Sequence, residues 1–258
     1  MDVVKHNSAA WDKQVEESSR WTLPVGSETI AAARRGDWQV ILTPVKPIPR
    51  DWLGDVRGKD ILCLASGGGQ QAPILAAAGA RVTCFDNSAK QLEQDRFVAE
   101  REGLSIRLEN GDSADLSRFP DASFDLIVNP CSNCFMPRLQ PIWDECFRVL
   151  RPGCSLLVGI TKPEVFIFDR FIEERNGILA VRHSLPYSDL ESLTDEELRT
   201  MIRKGEALEY SHTLEEQLGG QIAAGFYITG LYEDYWGEPT SIFDQHMPTF
   251  IATRAVKP

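Results

Sequence analysis

Residues 61–86, ILCLASGGGQQAPILAAAGARVTCFD, restrict the folds open to this chain more than any other stretch. They read as a buried strand, a glycine turn, a helix and a second strand that ends in a lone acid. Near-continuous apolar character over 61–65 suits a strand covered on both faces, as in parallel sheets. After Ser66, the run Gly67, Gly68, Gly69 makes a turn where a ligand can press on bare backbone, because no Cβ stands in the way. Asp86 lies roughly 20 residues beyond the glycines, where such units place a carboxylate for the two hydroxyls of a ribose. The combination points to an adenosine-containing cofactor.

Downstream residues continue the alternation. Ser88 opens a helix with a capping box to Gln91, and Gly103 closes it. Strands follow at 105–109, 124–128 and 155–160, the first of them leading into Gly111 and Asp112. The helix before the last strand carries Ile142, Cys146, Val149 and Leu150 on one face and meets a Pro152-Gly153 stop. Strand–helix alternation of this kind predicts a parallel sheet with right-handed crossovers. The tail departs from it. Residues 162–210 form an insertion with its own helix, capped by Thr194 and Glu197 and apolar along Leu198, Met201 and Ile202. A second box, Thr213 and Glu216, opens another helix, interrupted by Gly219-Gly220, before closing strands at 227–232 and 249–256. Residues 1–50, with Trp11, Trp21 and Trp38, read as a helical arm. It precedes a main domain over 51–258 in which 162–210 acts as a lid, and the Pro-rich segment TPVKPIPRDW links the two.

Composition narrows the partners. A net charge of −11 argues against nucleic acid or an anionic membrane surface. No apolar run approaches the ~18 residues that span a bilayer, and the N-terminus lacks a signal-peptide core, so a cytoplasmic address is expected. Of six cysteines, Cys63, Cys84, Cys146 and Cys154 fall in strand or helix patterns and read as small buried hydrophobes, kept reduced in that compartment. Cys131 and Cys134 form a CxxC, but one pair without a second is a poor zinc signature, and no metal is expected.

Taken in order, ILCLASGGG, VTCFDNS, ENGDSADL, FDLIVNPCSN and CFRVLRPGCSLLVGI resemble the class I S-adenosylmethionine-dependent methyltransferases. The resemblance is nearest to the small-molecule branch that includes ubiquinone and menaquinone biosynthesis enzymes. It covers 61–160, with a weaker echo over 213–256. It implies an α/β, Rossmann-like sheet of seven strands, mostly parallel with the last antiparallel, helices on both faces, and cofactor at the carboxyl ends. Carried over by position, Ala65, Ser66, Gly67 and Gly69 match the loop under the methionine part and ribose. Asp86 matches the acid for the ribose hydroxyls, Asn87 its neighbour against the adenine, and Gln91 belongs to the same cofactor set. Asp112 matches the acid for the adenine amino group, with Ser113 beside it. Asn129 and the loop 130–133, including Cys131 and Asn133, match the segment that faces the sulfonium and the substrate. Two positions depart from the pattern. Cys63 stands where the family usually has an acid, which removes a tether near the charged end of the cofactor. Ala65 stands where it usually has glycine.

Methyl transfer from a sulfonium mainly requires the nucleophile to be held in line and shielded from water. A general base is optional. His212 is the one histidine singled out for that role, against a plain capping or packing role. Tyr187 and Tyr210 are further candidates in the insertion, and Tyr187, with Trp11 and Asn133, is also placed on the substrate side. Trp11 faces substrate if the arm closes as a lid with Trp21, whereas both are anchors if the arm simply packs on the core. Two other functions stay open: a nicotinamide-dependent oxidoreductase, against which Asp112 and the FRVLRPGCSLLVGI unit speak, and a non-catalytic cofactor-binding protein.

Overall fold

The computed structural model describes residues 1–237 and 241–258. In chain order the helices and strands are α1 (Val3–Glu16), α2 (Ser27–Arg34), α3 (Arg50–Leu53), β1 (Asp60–Leu64), α4 (Gln71–Ala77), β2 (Arg81–Asp86), α5 (Ala89–Glu102) and β3 (Ile106–Asn110). They continue as β4 (Phe124–Asn129), α6 (Gln140–Val149), β5 (Leu150–Thr161), α7 (Arg170–Asn176), α8 (Asp189–Ser192), α9 (Asp195–Lys204), α10 (Gly220–Ala223), β6 (Tyr227–Asp234) and β7 (Phe250–Val256). The strands form one seven-stranded sheet in the order β3-β2-β1-β4-β5-β7-β6. Pairing is parallel from β3 to β5, and β7 runs antiparallel to both β5 and β6. This is the expected doubly wound sheet with its reversed last strand.

Both faces of the sheet are covered, which explains the near-continuous apolar strands. One layer sets Ile61, Cys63, Val82 and Cys84 against Ile30 of α2, Leu75 of α4 and Leu92 and Val98 of α5. The other sets Leu62, Leu64, Ile127 and Leu156 against Ile142, Trp143, Cys146 and Val149 of α6. Full burial of each such side chain contributes about 1.5–3 kcal/mol. The order of strands reverses between β1 and β4, and the loops leaving their carboxyl ends diverge there into a crevice suited to a ligand.

Three local expectations change. Pro152 and Gly153 do not stop α6 ahead of the strand; α6 ends at Val149 and β5 starts at Leu150. An irregular register between Phe124 and Leu126 absorbs the extra residues, and a bulge is one of the few places a strand accepts proline. The helix opened by Thr213 passes through a π turn at Glu215–Gly219 before α10. Ser88 caps Gln91 as expected, but its own amide is taken by Asp86 Oδ1 at 2.9 Å rather than by Gln91. The insertion holds α7, α8 and α9, the last with the full Thr194–Glu197 capping box.

Candidate cofactor and acceptor site

Beyond Leu64 the chain turns sharply. Ala65 adopts φ +46°, a left-handed conformation that costs a residue with a Cβ about 1 kcal/mol. That is the conformational reason a glycine would sit there more easily. Its amide donates to Phe85 O at 2.8 Å, which ties the turn to β2. Gly67 N donates to Asp86 Oδ2 at 2.9 Å and Gly68 N to Gln91 O at 3.0 Å. The loop has no room for side chains. A Cβ on Gly67 would stand 2.6 Å from Gln91 Cβ, and Gly68, at φ +106°, would meet Gln91 Oε1 at 2.8 Å.

Asp86 is the node of this arrangement. Its two oxygens accept from the amides of Ser88 and Gly67, each at 2.9 Å. Burial pushes its carboxyl above the ordinary range, while the amides of Ser88, Gly67 and Asn87 favour the charged form. Asn110, its register partner on β3, donates to Asp86 O at 3.0 Å. Asp112 follows at the mouth, exposed, its Oδ1 accepting from Ala114 N at 3.0 Å.

A cavity of about 710 Å³ opens above these residues. Ala65, Ser66, Gly67, Asp86, Asn87, Asp112 and Ser113 line one end of it, and Cys131, Trp11 and Tyr187 line it further on. Six candidate residues, Tyr210 among them, lie outside that lining. Gly69 turns away, its carbonyl accepting from Val25 N at 2.9 Å. Gln91 is buried beneath the loop. Asn129 donates to Leu64 O and Ser132 Oγ, both at 2.9 Å, and so braces the loop after β4. Asn133 donates to Gln217 Oε1 at 2.9 Å. His212 is buried, with Nε2 2.7 Å from Met136 O and its ring stacked on Tyr210. None of the six lines the cavity.

The cavity also has walls that no motif announced. Arm residues Val4, Asn7, Trp11 and Trp21 form one side, and Gln70 Nε2 fastens the arm by donating to Arg20 O and Leu23 O at 3.1 Å. The insertion over 162–210 adds Phe166, Phe168, Arg170, Glu173, His183 and Glu209, and residues at the last strands add Trp236 and Phe250. Ring contacts lock this end: Trp11 on Phe135, Phe166 on Tyr187, Trp236 on Phe250. Tyr187 Oη donates to buried Asp189 at 2.5 Å, and Arg170 lies 3.4 Å from the same carboxylate. Burial pushes the Tyr187 hydroxyl up and His183 down, so both are neutral near pH 7. Only the QQ pair after the glycines could have hinted at the arm contact. The lid residues lie far apart in sequence and carry no periodic signal.

Cys131 and Cys134 are free thiols, both pushed up by burial. Among the described residues no group of three or more metal-binding side chains converges.

Comparisons with known proteins bear on this geometry. A family model for a methyltransferase domain matches residues 62–158. An uncharacterised methyltransferase of Bacillus subtilis, YbaJ, is 49% identical over 255 residues, which is 99% of this chain and 98% of that protein. The chain belongs to this methyltransferase family. Among solved structures, an S-adenosylmethionine-dependent methyltransferase from Mesorhizobium loti shares the fold with a TM-score of 0.63 at 20% identity, over 81% of this chain and 95% of its own. A 1,6-didemethyltoxoflavin N1-methyltransferase from Burkholderia thailandensis, solved with that compound and S-adenosylhomocysteine, has a TM-score of 0.60 at 14% identity. That match covers 98% of this chain and 88% of the other.

The methyltransferase uses S-adenosylmethionine, and its residues fit that cofactor. The loop offers backbone where any Cβ would be refused. Asp86 and Asp112 line the same end of one cavity, and Ser66 Oγ in its wall is buried without a partner. Family membership leaves the nicotinamide reading without support. Among the described residues no helix is long and apolar enough to cross a membrane.

Proposed function

We propose that this methyltransferase moves the methyl group of S-adenosylmethionine to a small, apolar and uncharged acceptor held at the aromatic end of the cavity. The observation that carries the reading is continuity: a single cavity runs from Asp86 and Asp112 to Trp11, Phe166 and Tyr187. Its volume of about 710 Å³ is of the size that encloses small ligands. Charges at the acceptor end balance, Arg138 and Arg170 against Glu173 and Glu209, so no strongly charged acceptor is called for.

The bound cofactor supplies an electrophilic methyl on a sulfonium. Asp86 would take the ribose hydroxyls, Asp112 the adenine side, and the backbone of 65–67 the methionine part. The cofactor's chemistry there would be donation of that methyl to a lone pair of the acceptor, the carbon–sulfur electron pair staying with sulfur. The chain's share is alignment and dryness: arm, lid and last strands enclose the aromatic end. Tyr187 already donates to Asp189, and His212 lies outside the cavity lining, so neither is assigned as a base.

Incubating the protein with methyl-labelled S-adenosylmethionine and a fractionated extract tests this. Label is expected in a low-mass, organic-extractable product. Label confined to protein or nucleic acid refutes the small acceptor; tight cofactor binding with no transfer supports the non-catalytic alternative.

A further inference from the structure

One buried carboxylate has no part in the chemistry above. Asp95 sits mid-way along α5 and is 0% exposed, inside the apolar layer formed with β1 and β2. No lysine, arginine or histidine pairs with it among the described residues, and its Oδ1 has no hydrogen-bond partner. A lone buried acid is costly to keep. Its surroundings are the underside of the glycine loop. Gly67 rests on Gln91 Cβ, Gly68 donates to Gln91 O, and Gly69 lies against Gln94 O, so the loop crosses α5 one turn before and beside Asp95. The Cys84 thiol bridges the two, 3.6 Å from Ser66 O in the loop and 3.6 Å from Asp95 Oδ2.

We propose that Asp95 is a positioning residue for cofactor binding: from beneath, its ionised carboxylate holds the Gly68–Gly69 backbone in the shape that receives S-adenosylmethionine. Both glycines have positive φ, +106° and +71°, which glycine adopts without strain, so the shape of the loop is set by what packs beneath it. Burial, with the nearby charge of Asp86, pushes the carboxyl up to about 7, and the neighbouring amides of Gly69 and Gly68 oppose that rise. The position of this group therefore makes loop order depend on pH in the neutral range. The ionisable groups that reach Asp95 are Asp86 and Cys84 on β2 and Cys63 on β1, and burial keeps both thiols protonated. α4 carries no ionisable side chain. α1 brings Asp12 against Asp86, and Arg107 and Glu109 of β3 pair with each other.

Because the charged form grips the loop, affinity should be gained as pH rises through about 7. Calorimetry from pH 6 to 8 with both S-adenosylmethionine and S-adenosylhomocysteine tests this. The wild type is expected to bind each ligand several-fold tighter at pH 8 than at pH 6. Asp95→Asn is expected to bind both about tenfold more weakly at pH 8, with a flat profile. A tenfold loss corresponds to one pKa unit of coupling. Three results overturn the proposal: Asp95→Asn binding like wild type at pH 8, a loss confined to the sulfonium ligand, or a pH step that survives Asp95→Asn and vanishes in His183→Gln. If Asp95→Asn does not fold, the wild-type profile decides alone, and a flat one is fatal.

Discussion

At the residue scale, Gly67 and Asp86 bind the site together because each occupies the other's space. Adding one methyl at Gly67 places a carbon 2.6 Å from Gln91 Cβ and 3.1 Å from Asp86 Oδ2, and buried Gln91 cannot retreat within the packed layer. Gly67→Ala is therefore expected to weaken S-adenosylhomocysteine binding at least tenfold by calorimetry. Asp86→Ala removes an acceptor that holds two amides and should abolish binding while far-UV circular dichroism stays native. Unchanged affinity in either variant contradicts the assignment. These positions were legible because the strand–turn–helix–strand unit sets its own spacing, so Asp86 and Asp112 fall at strand ends whatever surrounds them. Gln91, Asn129, Asn133 and His212 lie in the expected elements but outside the cavity lining. Their directions come from partners far along the chain, such as Gln217 for Asn133 and Met136 O for His212.

At the scale of elements, local chemistry was readable wherever it closed on itself. The Thr194–Glu197 box needs only four successive residues, and it forms as expected at the start of α9. Thr194→Ala should cost about 1 kcal/mol in urea unfolding, the usual price of a lost N-cap. Glu197 is held at about 2 by the Arg182 guanidinium, which also reaches Asp169 at the cap of α7. A depressed acid adds stability above its unfolded value and loses it as pH falls toward the folded one. The insertion should thus weaken between the ordinary carboxylate range and about pH 2, with the slope reduced in Glu197→Gln. Urea midpoints measured against pH check this; parallel slopes in the two proteins count against it. Elements resisted reading where tertiary pairing overrode a local signal. Pro152-Gly153 has the composition of a stop, yet pairing of β5 with β4 and β7 carries the strand through it. α7 is short and lacks an apolar period, so only its Asp169 cap marks it.

Across the whole molecule the question is whether the arm covers the cofactor or only packs on the core, and it turns on contacts between α1 and residues far along the chain. Asn7 donates to Phe135 O and Leu208 O at 2.9 and 3.0 Å and accepts from Leu208 N, joining arm, lid and the loop after β4. Ser8 Oγ donates to Asn87 O at 2.7 Å, and Asp12 Oδ1 accepts from Ser88 Oγ at 2.6 Å and from Lys90 N. α1 is thus docked on the residues that follow Asp86, and a ligand on Asp86 and Asn87 must stabilise that docking. By linkage, whatever holds the arm down must in turn tighten the ligand. Trypsin has sites in this region at Lys13 and Arg20. Saturating S-adenosylhomocysteine is expected to slow cleavage there several-fold in the wild type. Asp12→Ala should be cut faster without ligand and should bind the ligand several-fold more weakly. Cleavage indifferent to ligand would make the arm an anchor, with Trp11 and Trp21 mere packing. Ligand protection together with weakened binding in Asp12→Ala makes α1 a closing element of the site, through the same contacts that seal the aromatic end from water.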